Sequence, residues 1–171
     1  MIKVAEHSFN RIKISIYSIG VGLLIGLYNS FFPPIDFTFT PEFYLLIFVS
    51  LIFVVILHES IHGATAVIFG HKPIFGLKVP LVYVTFTEKI RRGPFITIAL
   101  APLVIINVIF VIFFTIGLLK DFSYLCLIIN TLGSVGDIWM TQKLLTHEKG
   151  VLVQDTKTGI EVWRVNTSEG E

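Results

Sequence analysis

The chain has 171 residues, about one domain's worth, of which 54% are apolar and only 15% charged, with a mean hydropathy of +0.82. Soluble domains carry about 25% charged residues, so this composition argues for an integral membrane protein, and a formal net charge of +1 gives no electrostatic footprint for nucleic acid. The single cysteine, Cys126, lies in an apolar run, which excludes an intrachain disulfide and a thiolate metal cluster.

Residues 1–13 are polar and basic, with Lys3, Arg11 and Lys13 against Glu6, and are expected to form a cytoplasmic N-terminal segment. Residues 14–32 carry no formal charge and are long enough to cross a bilayer core, which needs about 20 residues. This run lacks a small-residue cleavage site, so it reads as a retained span and not a cleavable signal. Pro33-Pro34 ends it, and the loop beyond carries Asp36 and Glu42 without a base. A second span is predicted over 41–69, with Pro41 in its first turn.

The segment 70–93 differs in kind. It holds Lys72, Lys78, Lys89, Arg91 and Arg92, and within it Val82, Val84 and Phe86 alternate with Tyr83, Thr85 and Thr87. Period-two alternation rich in β-branched residues predicts a strand, part of a small hairpin. Pro94 is placed to open a third span, 95–119, which has no charge, a kink expected at Pro102 and one strongly polar group, Asn107. Lys120-Asp121 is expected to be a tight turn. A fourth span covers 122–142 and is interrupted by Asn130, Gly133, Gly136 and Asp137; the two glycines are expected to allow close helix approach or local unwinding that aims Asp137. The tail, 143–171, is polar, with a hairpin-like pattern from Val151 to Val165 about Lys157-Thr158-Gly159 and frayed final residues expected. The predicted fold is an all-α integral membrane protein of four transmembrane helices with a small β-hairpin-like cytoplasmic loop. Lys and Arg concentrate in the N-terminal segment, the 70–93 loop and the tail, and basic loops stay cytoplasmic. Both termini are therefore expected inside, most simply at the cell membrane.

The chemistry centres on His58-Glu59-Ser60-Ile61-His62, an H-E-x-x-H pattern inside the second span. On a helix, positions i and i+4 share a face, so His58 and His62 can direct two imidazoles at one ion. Glu59 lies beside that face, where it can hold and deprotonate a water. Of the twelve acidic residues, only Glu59 and Asp137 fall deep within apolar stretches, and no Lys or Arg accompanies them. Two carboxylates at that depth need a cation or must be protonated. A divalent metal held by His58, His62 and Asp137 supplies one. Counted from the outer ends of their spans, His58 and Asp137 are each about 15 residues in, roughly 22 Å along each helix at 1.5 Å per residue. Three protein ligands with a fourth position for water is the arrangement of catalytic zinc. The plainer reading of Asp137 is a helix-packing aspartate bonded to Ser134 or Asn130.

Asn130 lies two turns before Asp137. It is expected either to face the same cavity, positioning substrate as a donor to a peptide backbone or oxyanion, or to make an interhelical hydrogen bond. Asn107 reads as packing, His71 and His147 as interfacial, His7 as tail, and the basic loop residues as topology determinants and headgroup contacts.

These residues resemble the site-2 protease class of intramembrane zinc metalloproteases. The pattern is more similar still to a bacterial family of membrane zincins of unassigned substrate. That pattern runs H-E-x-x-H-G, a Lys-Pro loop, an Ala-Pro span and a Gly-Asp span, which His58 to Gly63, Lys72-Pro73, Ala101-Pro102 and Gly136-Asp137 match. It covers about Phe43 to Lys143. The resemblance implies zinc bound by His58, His62 and Asp137, with Glu59 as catalytic base. The chain departs from the site-2 pattern in having Ile138 after the aspartate, where that class has glycine.

The leading expectation is a zinc-dependent intramembrane endopeptidase acting on a membrane-protein or peptide substrate in the lipid bilayer. The alternative is a catalytically inactive metal-binding membrane adaptor or sensor; a pure binding site has no use for Glu59. A zinc hydrolase of lipid-like amides is a weaker third reading.

Overall fold

A computed structural model describes residues 1–8, 11–31, 34–35, 40–78, 81–156 and 159–165. The expected stop at Pro33, the loop around Asp36, the Lys157-Thr158 hairpin tip and the final residues lie outside the described residues. The element order is β1 (Ile2–Ser8), α1 (Arg11–Phe31), α2 (Pro41–Ile68), β2 (Ile74–Lys78), β3 (Leu81–Thr85), β4 (Ile90–Arg91), α3 (Arg92–Thr115), α4 (Lys120–Gly133), α5 (Val135–Leu145), β5 (Leu152–Thr156) and β6 (Gly159–Arg164). Most of the described residues are helical. Three helices, α1, α2 and α3, are long and apolar enough to cross a membrane, and α4 with α5 makes a fourth if the pair, bent by 41°, counts as one span.

Local chemistry sets the helix ends. Thr40 caps α2, its Oγ1 accepting from the Phe43 N–H at 3.3 Å, while Pro41 and Glu42 occupy the first turn. At the other end Gly70 adopts φ +78°, and the His71 N–H bonds back to the Ala66 carbonyl at 2.9 Å. The same closure ends α3 earlier than hydropathy predicts. Gly117 adopts φ +75°, and the Leu118 N–H reaches the Phe113 carbonyl at 2.8 Å. The turn therefore occupies residues 116–119, and Lys120 and Asp121 are the first residues of α4, not a turn. Ile116, Leu118 and Leu119 are apolar, so composition alone runs straight through this break.

The two hairpin-like segments expected over 70–93 and 151–165 are present as the antiparallel pairs β2–β3 and β5–β6, and β1 and β4 add strands that were not expected. β2 and β3 pair antiparallel, Ile74 opposite Thr85 and Lys78 opposite Leu81. A second, four-stranded antiparallel sheet has the order β1-β6-β5-β4. The N-terminal segment is thus a strand docked along β6, Ile2 opposite Arg164 and Ser8 opposite Gly159. A register irregularity between Lys3 and Ala5 breaks the alternation that would have announced it. Docking needs Gly159: a Cβ there would stand 1.9 Å from the His7 carbonyl oxygen. The N-terminal segment, the end of the 70–93 loop and the tail, which hold most of the basic residues, therefore meet in one sheet at one end of the helices.

Two apolar clusters position the site. Val153, Ile160 and Val162 of the sheet pack on Ala66, Phe95, Ile98 and Leu144 at the helix ends. Deeper among the helices, Val54, Ile106, Phe110 and the fully buried Cys126 form a second cluster. Helix α1 lies at the periphery against α4 and α5. Phe48, Leu51, Ile52, Val108 and Ile112 remain exposed on the outer faces, as lipid contact would require.

Candidate metal centre

His58 and His62 lie one turn apart on α2, their rings edge to face with centroids 4.7 Å apart. Asp137 reaches them from the first turn of α5. The chain bends at Ser134, whose hydroxyl and N–H both bond the Asn130 carbonyl, at 2.8 and 2.9 Å. A helix N-terminus favours a carboxylate in its first turn, so the bend gives Asp137 a favourable backbone environment deep in the fold. A Cβ at Gly133 or Gly136 would meet nothing within 4 Å, so neither glycine serves close helix approach.

Three side chains converge. His58 Nε2 stands 3.2 Å from Asp137 Oδ2, His62 Nε2 stands 3.7 Å from Asp137 Oδ1, and the two Nε2 atoms are 3.1 Å apart. Neighbouring ligand atoms around a tetrahedral zinc with bonds of about 2.0–2.1 Å are about 3.3 Å apart. The observed spacings bracket that value, and the three donors form a group whose ligand atoms lie within 4.8 Å of one another.

The hydrogen bonds behind the rings decide what the front atoms offer. His62 Nδ1 lies 2.8 Å from the Ile98 carbonyl oxygen, which can only accept, so Nδ1 carries the proton. That carbonyl is available because residue 102, four positions on in α3, is a proline and has no N–H to bond it. His58 Nδ1 lies 3.0 Å from Asn130 Oδ1. The Asn130 amide is fixed in turn, since its Nδ2 donates to the Pro102 carbonyl at 3.2 Å and to Asn107 Oδ1 at 2.9 Å. In the neutral form that metal ligation requires, each imidazole would therefore turn an unprotonated Nε2 toward the Asp137 carboxylate. Three lone-pair donors facing one another in a buried site repel unless a cation sits between them. Backbone and amide partners behind metal-bound histidines fix tautomer and ring direction in just this way.

Asn130 is fully buried, one layer behind His58, and does not line the cavity. It makes an interhelical network with Asn107, whose own amide bonds Thr131 Oγ1 at 3.1 Å. Of His7, His71 and His147, none reaches the centre: His7 and His147 face each other at 2.8 Å, and His71 bonds Glu88 at 3.0 Å.

Glu59 points from α2 to β3, where its Oε2 accepts from the Val84 N–H at 2.8 Å. It shares with His58, His62 and Asp137 a cavity of about 300 Å³ between the helices and the sheets. Tyr83, Val84, Phe86, Phe95 and Met140 supply most of its apolar wall. Asp155 of β5 also lines it, and its Oδ2 accepts from Thr85 Oγ1 at 2.9 Å. Burial pushes the Asp155 carboxyl up to about 6. Asp155 was not among the expected site residues. The signal for it was present: Val151, Val153 and Asp155 share one face of a period-two strand whose first two members are buried.

A family model described as "Putative zincin peptidase" matches residues 51–152, more than half of the chain and every residue of the centre. No curated protein and no solved structure matches. Zincins take zinc, and the donor set here, two imidazoles and one carboxylate, suits that ion.

Proposed function

We propose that this chain, which belongs to the family described as "Putative zincin peptidase", is a zinc-dependent endopeptidase that hydrolyses peptide bonds of membrane-embedded substrates, with Glu59 as general base. The observation that carries this reading is the pairing of two things in one cavity. One is a convergent set of three metal-ligand side chains; the other is a carboxylate that is not part of that set. A site that only stored a metal would have no use for the second.

Bound by His58, His62 and Asp137, zinc would supply Lewis acidity, polarising the scissile carbonyl and acidifying a water. Glu59 takes the proton from that water as its oxygen bonds to the carbonyl carbon, and hands it to the leaving nitrogen as the C–N bond breaks. The Val84 N–H holds the Glu59 carboxylate in position. Asn130 and the Ile98 carbonyl hold the two imidazoles. Asn130 thus acts through His58 and not on the substrate.

The edge of β3 that faces Glu59 is not paired with β2 and offers backbone groups to an extended peptide. A substrate helix must unwind before its backbone can lie there. Helices long and apolar enough to span a bilayer support a membrane location. The gathering of basic segments at one end supports the cell membrane with both termini cytoplasmic.

The test is cleavage of a single-span candidate substrate by detergent-purified wild type and Glu59→Gln. Wild type should cleave, and the variant should lose activity by a factor of about 10²–10⁴ while keeping its zinc. Equal rates in the two proteins would end the general-base mechanism.

A further inference from the structure

The cavity holds one carboxylate more than hydrolysis requires. Asp155 comes from the sheet, not from the helices, and lies just beyond the segment that the family model matches. Consecutive residues of β3 fix the two acids nearest the substrate edge: the Val84 N–H holds Glu59 and the Thr85 hydroxyl holds Asp155. Any peptide laid along that edge beside Glu59 therefore passes Asp155 as well.

Charge arithmetic then isolates Asp155. A divalent ion offsets Asp137 and Glu59, leaving Asp155 uncompensated. No Lys or Arg lines the cavity, and none pairs with Asp155 among the described residues; its polar partners are the Thr85 hydroxyl and the Thr156 backbone. A carboxylate enclosed without a cation is unfavourable, and burial accordingly raises this one to about 6. A cation arriving with the substrate would relieve it. Substrate chemistry provides one, because membrane spans are flanked by Lys and Arg on their cytoplasmic side. The cavity sits at the border between helices and sheets, the level at which such a flank would lie.

Resting on the peptidase reading above, we infer that Asp155 is a specificity-determining residue that receives the ammonium or guanidinium of a basic side chain close to the scissile bond. The favoured substrate is then a membrane span cut near its basic cytoplasmic end. Neutral peptides still fit the apolar wall and are cut less efficiently.

The test uses the full chain, zinc-loaded in detergent micelles, and short peptidyl hydroxamates. Each pair of compounds differs only in Lys against norleucine, at one or other of the two positions nearest the zinc-binding group. The Lys compound of at least one pair should bind wild type about tenfold more tightly than its partner, as a desolvated charge pair affords. Asp155→Asn should bring that ratio to about one without moving the norleucine compound, and Asp155→Glu should keep most of the preference, separating lost charge from lost fold. Equal binding of Lys and norleucine compounds to wild type, or a preference that survives Asp155→Asn, overturns the inference and leaves the peptidase reading standing. Failure of every hydroxamate to bind zinc-loaded wild type sinks both.

Discussion

Asp137 Oδ2 lies 3.2 Å from His58 Nε2, although 79 positions separate the two residues in the chain. Both belong to largely apolar helices, and among the described residues no Lys or Arg pairs with Asp137. With His58 neutral, the two atoms would face each other as lone-pair donors, because Asn130 Oδ1 holds the proton on the far side of the imidazole. The arrangement makes sense as the two halves of a cation site, closed by His62 at 3.1 Å from its neighbour.

Pro102 supports that site without touching it. By lacking an N–H it leaves the Ile98 carbonyl free for His62 Nδ1 at 2.8 Å. Pro102→Ala restores an N–H that competes for the Ile98 carbonyl. Zinc affinity should fall by about 10–100-fold, the usual effect of removing support behind a ligand, even though the substitution favours the isolated helix. A competition titration against a zinc chelator measures this. Unchanged affinity would show that the Ile98 carbonyl does not orient His62.

The Val84 N–H supports Glu59 in the same indirect way. Val84 faces Phe75 across the hairpin, but its N–H is directed to Glu59 and not to β2. Proline is tolerated at such an outward position of an edge strand. Val84→Pro should keep the hairpin and the zinc and lower kcat about tenfold, with little change in KM. A rise in KM with kcat intact would assign the N–H to substrate binding instead.

Much of this centre could be read in the residues before any coordinates. H-E-x-x-H dictates two imidazoles on one helical face, and an acid stranded in an apolar run demands a partner. His58, His62 and Asp137 therefore met as expected. The supporting layer was not legible in that way. The link from Pro102 to His62 passes through a backbone carbonyl, to which no side-chain pattern refers. The N-terminal strand pairs with a segment more than 150 residues away and carries an irregularity at Lys3–Ala5, so neither local propensity nor alternation marks it. The 41° bend falls at Ser134, inside the Gly133–Gly136 stretch where local unwinding was expected, but a window of hydropathy carries no angle.

The pH dependence of stability follows from Asp155. Its ordinary value is 3.8 and burial raises it to about 6 in the folded chain, against the opposing hydrogen bonds from the Thr85 hydroxyl and the Thr156 backbone. Between those values the folded state binds the proton that the unfolded state has released. Stability from this group is therefore full below about pH 4 and is lost as pH rises through 6. Asp155→Asn keeps an acceptor for Thr85 and removes the titration. It should be more stable than wild type by roughly 2 kcal/mol at pH 7.5, and equal to it near pH 4. Thermal midpoints of the two proteins across that range measure the difference, and parallel profiles would contradict the assignment.

The claim on which the rest stands is that His58, His62 and Asp137 hold one metal ion. Elemental analysis of the detergent-purified chain tests it directly, with His58→Ala and Asp137→Asn prepared alongside. Wild type should carry about one zinc per chain and both variants close to none, since each removes one of only three protein ligands. Wild type without bound metal, even after incubation with zinc, or variants that keep a full equivalent, would contradict the account.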